Sequence, residues 1–269
     1  MDDVVFNKFR TLIHDVSGIA LGDEKRALVA NRIGKRVRKL GLQTPAEYLK
    51  IIETDASKEE LLELIDVIST NVTHFFREDV HFSFLSDFLA NNSSNGKKEF
   101  KIWCAAASTG EEPYSIVMTA TEALANTSCD FRLLATDICI GALKQADQGL
   151  YDAKRVDPVP AALRQKYFRV DQSSGQDQFQ VSPTLRKKIV FKRLNLKQRP
   201  FPLSGPLDIV FCRNVMIYFD DQLRGQVANG FYNLLRPGGY LILGLSENLL
   251  GVEHAFQGLG KSIYQKPGG

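Results

Sequence analysis

Phe100-Lys101-Ile102-Trp103-Cys104 runs into Ala105-Ala106-Ala107-Ser108-Thr109-Gly110 and then into Glu111-Glu112-Pro113-Tyr114-Ser115. A short apolar run, a turn of small residues and a longer mixed stretch read as strand, turn and helix, the helix spanning residues 110–125. Beyond it, Phe131-Arg132-Leu133-Leu134-Ala135-Thr136 predicts a second strand, with a helix over about 141–148. Ile189-Val190-Phe191 and Leu207-Asp208-Ile209-Val210-Phe211-Cys212 predict two more strands. Residues 221–235 predict a helix, and Tyr240-Leu241-Ile242-Leu243 a strand after the turn Pro237-Gly238-Gly239. Strands alternating with helices imply an α/β fold, a mostly parallel Rossmann-like sheet covered on both faces.

Upstream the pattern is purely helical. Phe6, Phe9, Ile13 and Val16 recur at helical spacing until Gly18, and Leu28, Val29, Ile33, Val37 and Leu40 until Gly41. Thr44-Pro45-Ala46-Glu47 reads as a helix start with a capping box, and Leu61, Leu62, Leu64, Ile65 and Ile68 mark a further helix. Residues 1–70 are therefore expected to form a helical N-terminal domain and 71–90 a linker helix contributing to a ligand site. Residues 91–269 would form the α/β domain, entered through the polar loop Asn91-Asn92-Ser93-Ser94-Asn95-Gly96-Lys97-Lys98. Residues 158–188 break the alternation. They predict a small antiparallel insertion, with strand-like flanks around the turn Asp171-Gln172-Ser173-Ser174-Gly175-Gln176-Asp177.

At 269 residues, 44% hydrophobic and 24% charged, the chain has the composition of a globular protein with a sizeable core. No run reaches the roughly 18 apolar residues of a membrane span, and the first residues do not resemble a signal peptide, so a cytoplasmic location is expected. Cys104, Cys129, Cys139 and Cys212 are scattered without a CxxC pair and read as buried free thiols; the histidines form no metal pattern, so no metal is expected. Net charge is only +3, which excludes a polyelectrolyte binder as a whole, although cations concentrate between Lys25 and Lys39.

The turn after residue 104 carries the first chemical signal. Small residues admit a ligand to the carboxyl edge of the sheet, yet there is no GxGxxG, and Glu111 and Glu112 would repel a pyrophosphate. Two carboxylates suit a cationic ligand end, such as the ammonium or sulfonium of S-adenosylmethionine; equally, they complement a helix dipole. Asp137 closes the second strand, where an acid accepts hydrogen bonds from ribose hydroxyls; it is also placed to cap the next helix. Together the two features favour a nucleoside without phosphates, with NAD still open.

The stretch from Ala105 to Ser115 resembles the signature of CheR-type methyltransferases. So do Thr70-Asn71-Val72-Thr73-His74-Phe75-Phe76-Arg77-Glu78 and Phe211-Cys212-Arg213-Asn214-Val215-Met216-Ile217-Tyr218-Phe219, and the resemblance covers essentially the whole chain. It implies a class I methyltransferase sheet with a helical N-terminal domain, and S-adenosylmethionine-dependent methylation of glutamates on the cytoplasmic helical domain of methyl-accepting chemotaxis receptors. By the same resemblance Asn71, Thr73 and Arg77 contact the cofactor, Glu111 holds its ammonium and Asp137 its ribose. Asn195 and Leu196 resemble the adenine pocket, and Cys212, Arg213 and Asn214 line the methionine side. Arg77 and Tyr218 resemble residues beside the transferring methyl; from the residues alone, an interdomain ion-pair partner and a half-buried core tyrosine are equally ordinary readings.

Lys25, Arg32, Arg36 and Lys39 fall on one face of a helix, opposite its apolar stripe. A solvated face is the ordinary reading; a face that steers toward receptor carboxylates fits the resemblance. RNA would suit the charge, but no aromatic residues are interleaved for stacking, and no nucleic acid is expected. In some family members the insertion docks the receptor's C-terminal peptide by strand addition, and those members carry more glycine at this turn than the single Gly175 here. The other classes considered are an RNA or small-molecule methyltransferase and a non-catalytic, cofactor-sensing adaptor.

Overall fold

The computed structural model describes residues 1–93, 97–171 and 177–268. Helices α1 (Asp3–Ser17), α2 (Arg26–Lys39), α3 (Pro45–Thr54) and α4 (Glu59–Ile68) form the N-terminal domain. Their apolar stripes meet in one core of Phe6, Phe9, Ile13, Val29, Ile33, Tyr48 and Leu64. Helix α1 ends where Gly18 turns left-handed at φ 78° and donates its N–H to His14 O. At α3, Thr44 Oγ1 accepts from Glu47 N, while the Glu47 carboxylate reaches back to Gln43 N, one residue earlier than a standard capping box.

Residues 70–79 are not helical; the expected linker helix begins only at Val80, as α5 (Val80–Ser93). It extends into the segment expected to be a loop at Asn91-Asn92-Ser93, and residues 94–96 of that loop lie outside the described residues. The α/β domain continues through β1 (Glu99–Cys104), α6 (Glu111–Ala123), β2 (Asp130–Asp137) and α7 (Ile140–Gln148). An excursion follows: β3 (Leu150–Asp152), α8 (Ala153–Val156), α9 (Ala161–Tyr167), β4 (Phe168–Asp171), β5 (Gln178–Val181) and α10 (Pro183–Arg186). The chain then returns through β6 (Ile189–Arg193), β7 (Leu207–Cys212), α11 (Asp221–Leu234), β8 (Leu235–Leu243), β9 (Gln257–Gly258) and β10 (Ile263–Gln265).

The main sheet has the order β6-β2-β1-β7-β8-β10-β9, parallel from β6 to β8 and closed by the antiparallel β10 and β9. Period-two alternation divides its strands between two cores. Phe100, Ile102, Cys104, Ile209 and Phe211 face the core shared with α5 and α6. Trp103, Val210 and Cys212 face the opposite core with Phe231 of α11. Pro237-Gly238-Gly239, read as a turn before the last parallel strand, lies inside β8 as an irregularity of its pairing with β7; Gly238 has φ 71°. The insertion is a separate sheet of order β3-β5-β4, so the expected hairpin gains a third strand from residues 150–152, before its expected start. Residues 172–176 of its turn lie outside the described residues. All four cysteines are buried free thiols, and no helix among the described residues is long and apolar enough to cross a membrane.

The two domains are joined by polar contacts. Asp66 of α4 accepts from Ile140 N (2.9 Å) and Gly141 N (2.7 Å), capping α7 from across the joint. Lys197 Nζ donates to His14 O and Asp15 O at the end of α1, and Asn195 Nδ2 donates to Val16 O. Asp66→Ala should therefore lower stability by about 1–2 kcal/mol, the scale of a lost helix cap, as measured by urea denaturation; an unchanged midpoint would mean the cap is redundant.

Candidate active site

A cleft of about 450 Å³ opens between the domains at the carboxyl ends of β1, β2 and β7, within the roughly 300–1,000 Å³ of small-molecule sites. The α/β domain contributes the turn after β1, the end of β2, residues 194–196 and the loop after β7; the N-terminal domain contributes residues 17–21, Lys25, Arg32 and the 68–73 segment. The turn after β1 is held tightly. Gly110 has φ 102°, and a Cβ there would meet Tyr151 Oη at 2.5 Å and Ala146 Cα at 2.9 Å, so a side chain is excluded both by conformation and by space.

Asp137 ends β2 in this cleft and is 8% exposed; its Oδ2 accepts from Ser108 N (2.8 Å) and its Oδ1 from Cys139 N (2.9 Å). Burial pushes its carboxyl above the ordinary carboxylate range, and these N–H groups offset only part of that rise. Each oxygen keeps lone-pair capacity for a further donor, as a ribose diol requires.

The adjacent glutamates part company. Glu112 lines the cleft, and Glu111 does not. Glu111 is turned behind the turn, where Thr109 Oγ1 (2.6 Å) and Arg155 Nη1 of α8 (2.9 Å) donate to it. The insertion thus takes Glu111 as an ion-pair partner, while Glu112 is held by Arg213 at the edge of the cleft. Burial raises the Glu112 carboxyl, opposed by the charge of Arg213, whose Nη1 lies 2.6 Å from Glu112 Oε2.

Arg213 is buried completely in its side chain and also donates to Glu78 Oε2 (3.0 Å) and Arg77 O. Cys212 does not line the cleft: one residue earlier on the strand, alternation turns its thiol into the core beside Trp103. Asn71, Thr73, Arg77, Asn195, Leu196, Asn214 and Tyr218 do line it. The Asn195 amide is engaged on both sides, donating to Val16 O and accepting from Lys197 N. Arg77 donates to Val72 O (3.0 Å), and among the described residues it has no carboxylate partner.

The basic face expected on α2 does not stay together. Lys25 and Arg32 reach the cleft, and Arg32 donates to Ser69 O (3.1 Å) and Ile68 O. Arg36 is only 8% exposed, bound to Glu60 (2.6 Å) and Glu63 (2.9 Å) inside the N-terminal domain, which removes it from any solvent-facing set. Lys39 is exposed at the far end of α2, away from the cleft.

Sheet order, a turn of small residues after β1, an acid ending β2 and a second acid beneath the turn fit one class: a methyltransferase using S-adenosylmethionine. Comparison with known proteins narrows it. Residues 5–69 match the CheR methyltransferase all-alpha domain, and residues 71–264 the CheR methyltransferase SAM-binding domain. A chemotaxis protein methyltransferase of Borreliella burgdorferi is 39% identical over 92% of this chain and 86% of its own length. Chemotaxis protein methyltransferase 2 of Pseudomonas aeruginosa is 36% identical over 96% and 91%. The Escherichia coli K12 chemotaxis protein methyltransferase is 36% identical over 98% and 91%. The chain belongs to the CheR methyltransferase family.

Proposed function

We propose that this cleft esterifies glutamate side chains on the cytoplasmic helical domain of methyl-accepting chemoreceptors. The observation that carries the reading is Arg77: a guanidinium that lines the same cleft as Tyr218, Glu112 and Asp137 and has no carboxylate partner among the described residues.

Bound S-adenosylmethionine supplies a methyl carbon on a sulfonium, which passes to a carboxylate oxygen as the C–S bond breaks, leaving S-adenosylhomocysteine and a methyl ester. Glutamate is already ionised at neutral pH, so the chain needs no general base. Its residues must instead align oxygen, carbon and sulfur and exclude water. Glu112 would meet the ammonium, Asp137 the ribose hydroxyls, and the 194–196 segment the adenine. Arg77 would hold the substrate carboxylate through its planar fork, with the Tyr218 phenol fixing the second oxygen. Lys25 at the cleft and Lys39 further along α2 would favour approach of an acidic helix. The protein would act in the cytoplasm, where that receptor domain lies.

The direct test is transfer of labelled methyl from S-adenosylmethionine to receptor signalling domains, with release of methanol under mild base as the mark of an ester. Label retained through base treatment would reject glutamate as the acceptor. Asp137→Ala should weaken cofactor binding by about 1–3 kcal/mol, measured calorimetrically, the scale of lost hydrogen bonds to a charged group. Unchanged affinity would remove Asp137 from the site.

A further inference from the structure

Beyond the cleft, one buried acid is tied to the loop that carries Tyr218. Glu247 follows β8, is 5% exposed and is not among the residues lining the cleft. Its Oε2 accepts from Asn214 N (2.6 Å) and Gly244 N (2.8 Å), and its Oε1 from Ile217 N (3.2 Å). One carboxylate thus binds both ends of the 214–217 turn to the end of β8.

Asn214 sits in the left-handed region at φ 57°, where asparagine is among the few residues with a side chain that are readily tolerated. The next residue, Tyr218, donates its N–H to Val215 O (3.1 Å), and its carbonyl accepts from Ala20 N (2.8 Å) of the N-terminal domain. Glu247 is itself fixed: its N–H donates to Gly244 O (2.8 Å), and its carbonyl accepts from Ser262 Oγ (2.8 Å). Position 244 is packed to the limit, since a Cβ there would lie 2.5 Å from Asn214 Nδ2 and 2.9 Å from Glu247 Oε2.

We infer that Glu247 is a positioning residue for methyl transfer, its carboxylate clamping the turn that presents Asn214 and Tyr218 to the cleft. This rests on Tyr218 standing beside the reacting atoms, as in the proposed function. An ionised carboxylate is the group required, because it accepts at both oxygens and donates at neither. A glutamine would set an NH2 donor against a backbone N–H and release one end of the turn.

The test is a double-mutant cycle of Glu247→Gln with Tyr218→Phe, measuring kcat, KM and S-adenosylhomocysteine affinity on folded protein. Glu247→Gln is expected to lower kcat about tenfold or more while product affinity stays within about threefold. In the Tyr218→Phe background its further effect should shrink to about twofold or less. Glu247→Asp should recover part of the rate, because it keeps two acceptor oxygens. Should Glu247→Gln fail to fold, Gly244→Ala carries the same cycle, since its Cβ must displace Asn214 Nδ2 and Glu247 Oε2. A slow Tyr218→Phe enzyme with an unchanged Glu247→Gln rate, or with effects that multiply, overturns the clamp alone. A Tyr218→Phe enzyme at full rate overturns the placement of Tyr218 and the clamp with it.

Discussion

Arg213→Met is expected to destabilise the protein by about 3–5 kcal/mol at neutral pH, the cost of leaving buried charges without their partner. Arg213 has no exposed side-chain surface and lies between Glu112 and Glu78, whose side chains are 10% and 16% exposed. Burial alone would raise the Glu78 carboxyl, but hydrogen bonds from Arg213 and Leu245 N hold it below the ordinary carboxylate range. Methionine of similar length removes the charge and leaves two carboxyls in a desolvated site. Both should then titrate above their unfolded values. A group raised in the folded state binds protons more tightly when folded, so it favours folding at low pH and loses that contribution as pH rises. The deficit of the variant should accordingly be smaller near pH 5 than near pH 8, as read from chemical denaturation across that range. A pH-independent loss would point to lost packing against Phe82, over which the guanidinium sits, rather than to orphaned charge. An unchanged midpoint would show that the two carboxylates find water or other donors.

How much of this was legible beforehand depends on the range of the interaction. Strands β1, β2 and β7 were readable because each is an apolar run bounded by turn residues, and β7 begins and ends where its hydrophobic run does. The cleft position of Asp137 followed from its place at the end of β2, and those of Asn71, Arg77 and Tyr218 from motifs in the 70–79 segment and after β7. Adjacent glutamates defeat that approach: at about 100° per residue on a helix they point in different directions, and their charged partners, Arg155 for Glu111 and Arg213 for Glu112, lie some forty and a hundred residues away. Cys212 was placed by motif membership, whereas strand alternation, visible in the same six residues, assigns it to the core. Arg36 looked like one cation in a solvent-facing row because Glu60 and Glu63 come from a different helix. Strands β3, β9 and β10 have two or three residues each, too few for any period to show. Glu78 ends the 70–78 motif and Glu247 lies in none, and neither position reveals that its carboxylate accepts backbone N–H groups from distant loops.

Arg77→Ala should lower kcat/KM for receptor methylation by about 10²–10³-fold, the scale of truncating one partner of a hydrogen-bonded charge pair, while cofactor affinity changes only a few-fold. The two quantities separate because the acids proposed to meet the cofactor, Glu112 and Asp137, take their support from Arg213, Ser108 and Cys139, none of which depends on the Arg77 side chain. The main chain at position 77 is fixed independently, since its carbonyl accepts from Arg213 Nη2, so truncation should leave the fold and the cleft wall in place. The sign of the kinetic effect also follows from charge. The attacking carboxylate loses negative charge as its bond to carbon forms, so a cation stabilises the bound substrate at least as strongly as the transition state. Its contribution therefore lies in capture and alignment, and a large part of the loss should appear in KM. Arg77→Lys should recover little, because a point charge cannot hold both oxygens in the plane that a guanidinium fork imposes. Initial rates against receptor concentration, with calorimetric titration of S-adenosylhomocysteine on the same variant, decide the matter. Full activity, or a rate loss matched by an equal loss of cofactor affinity, would take the substrate carboxylate away from Arg77.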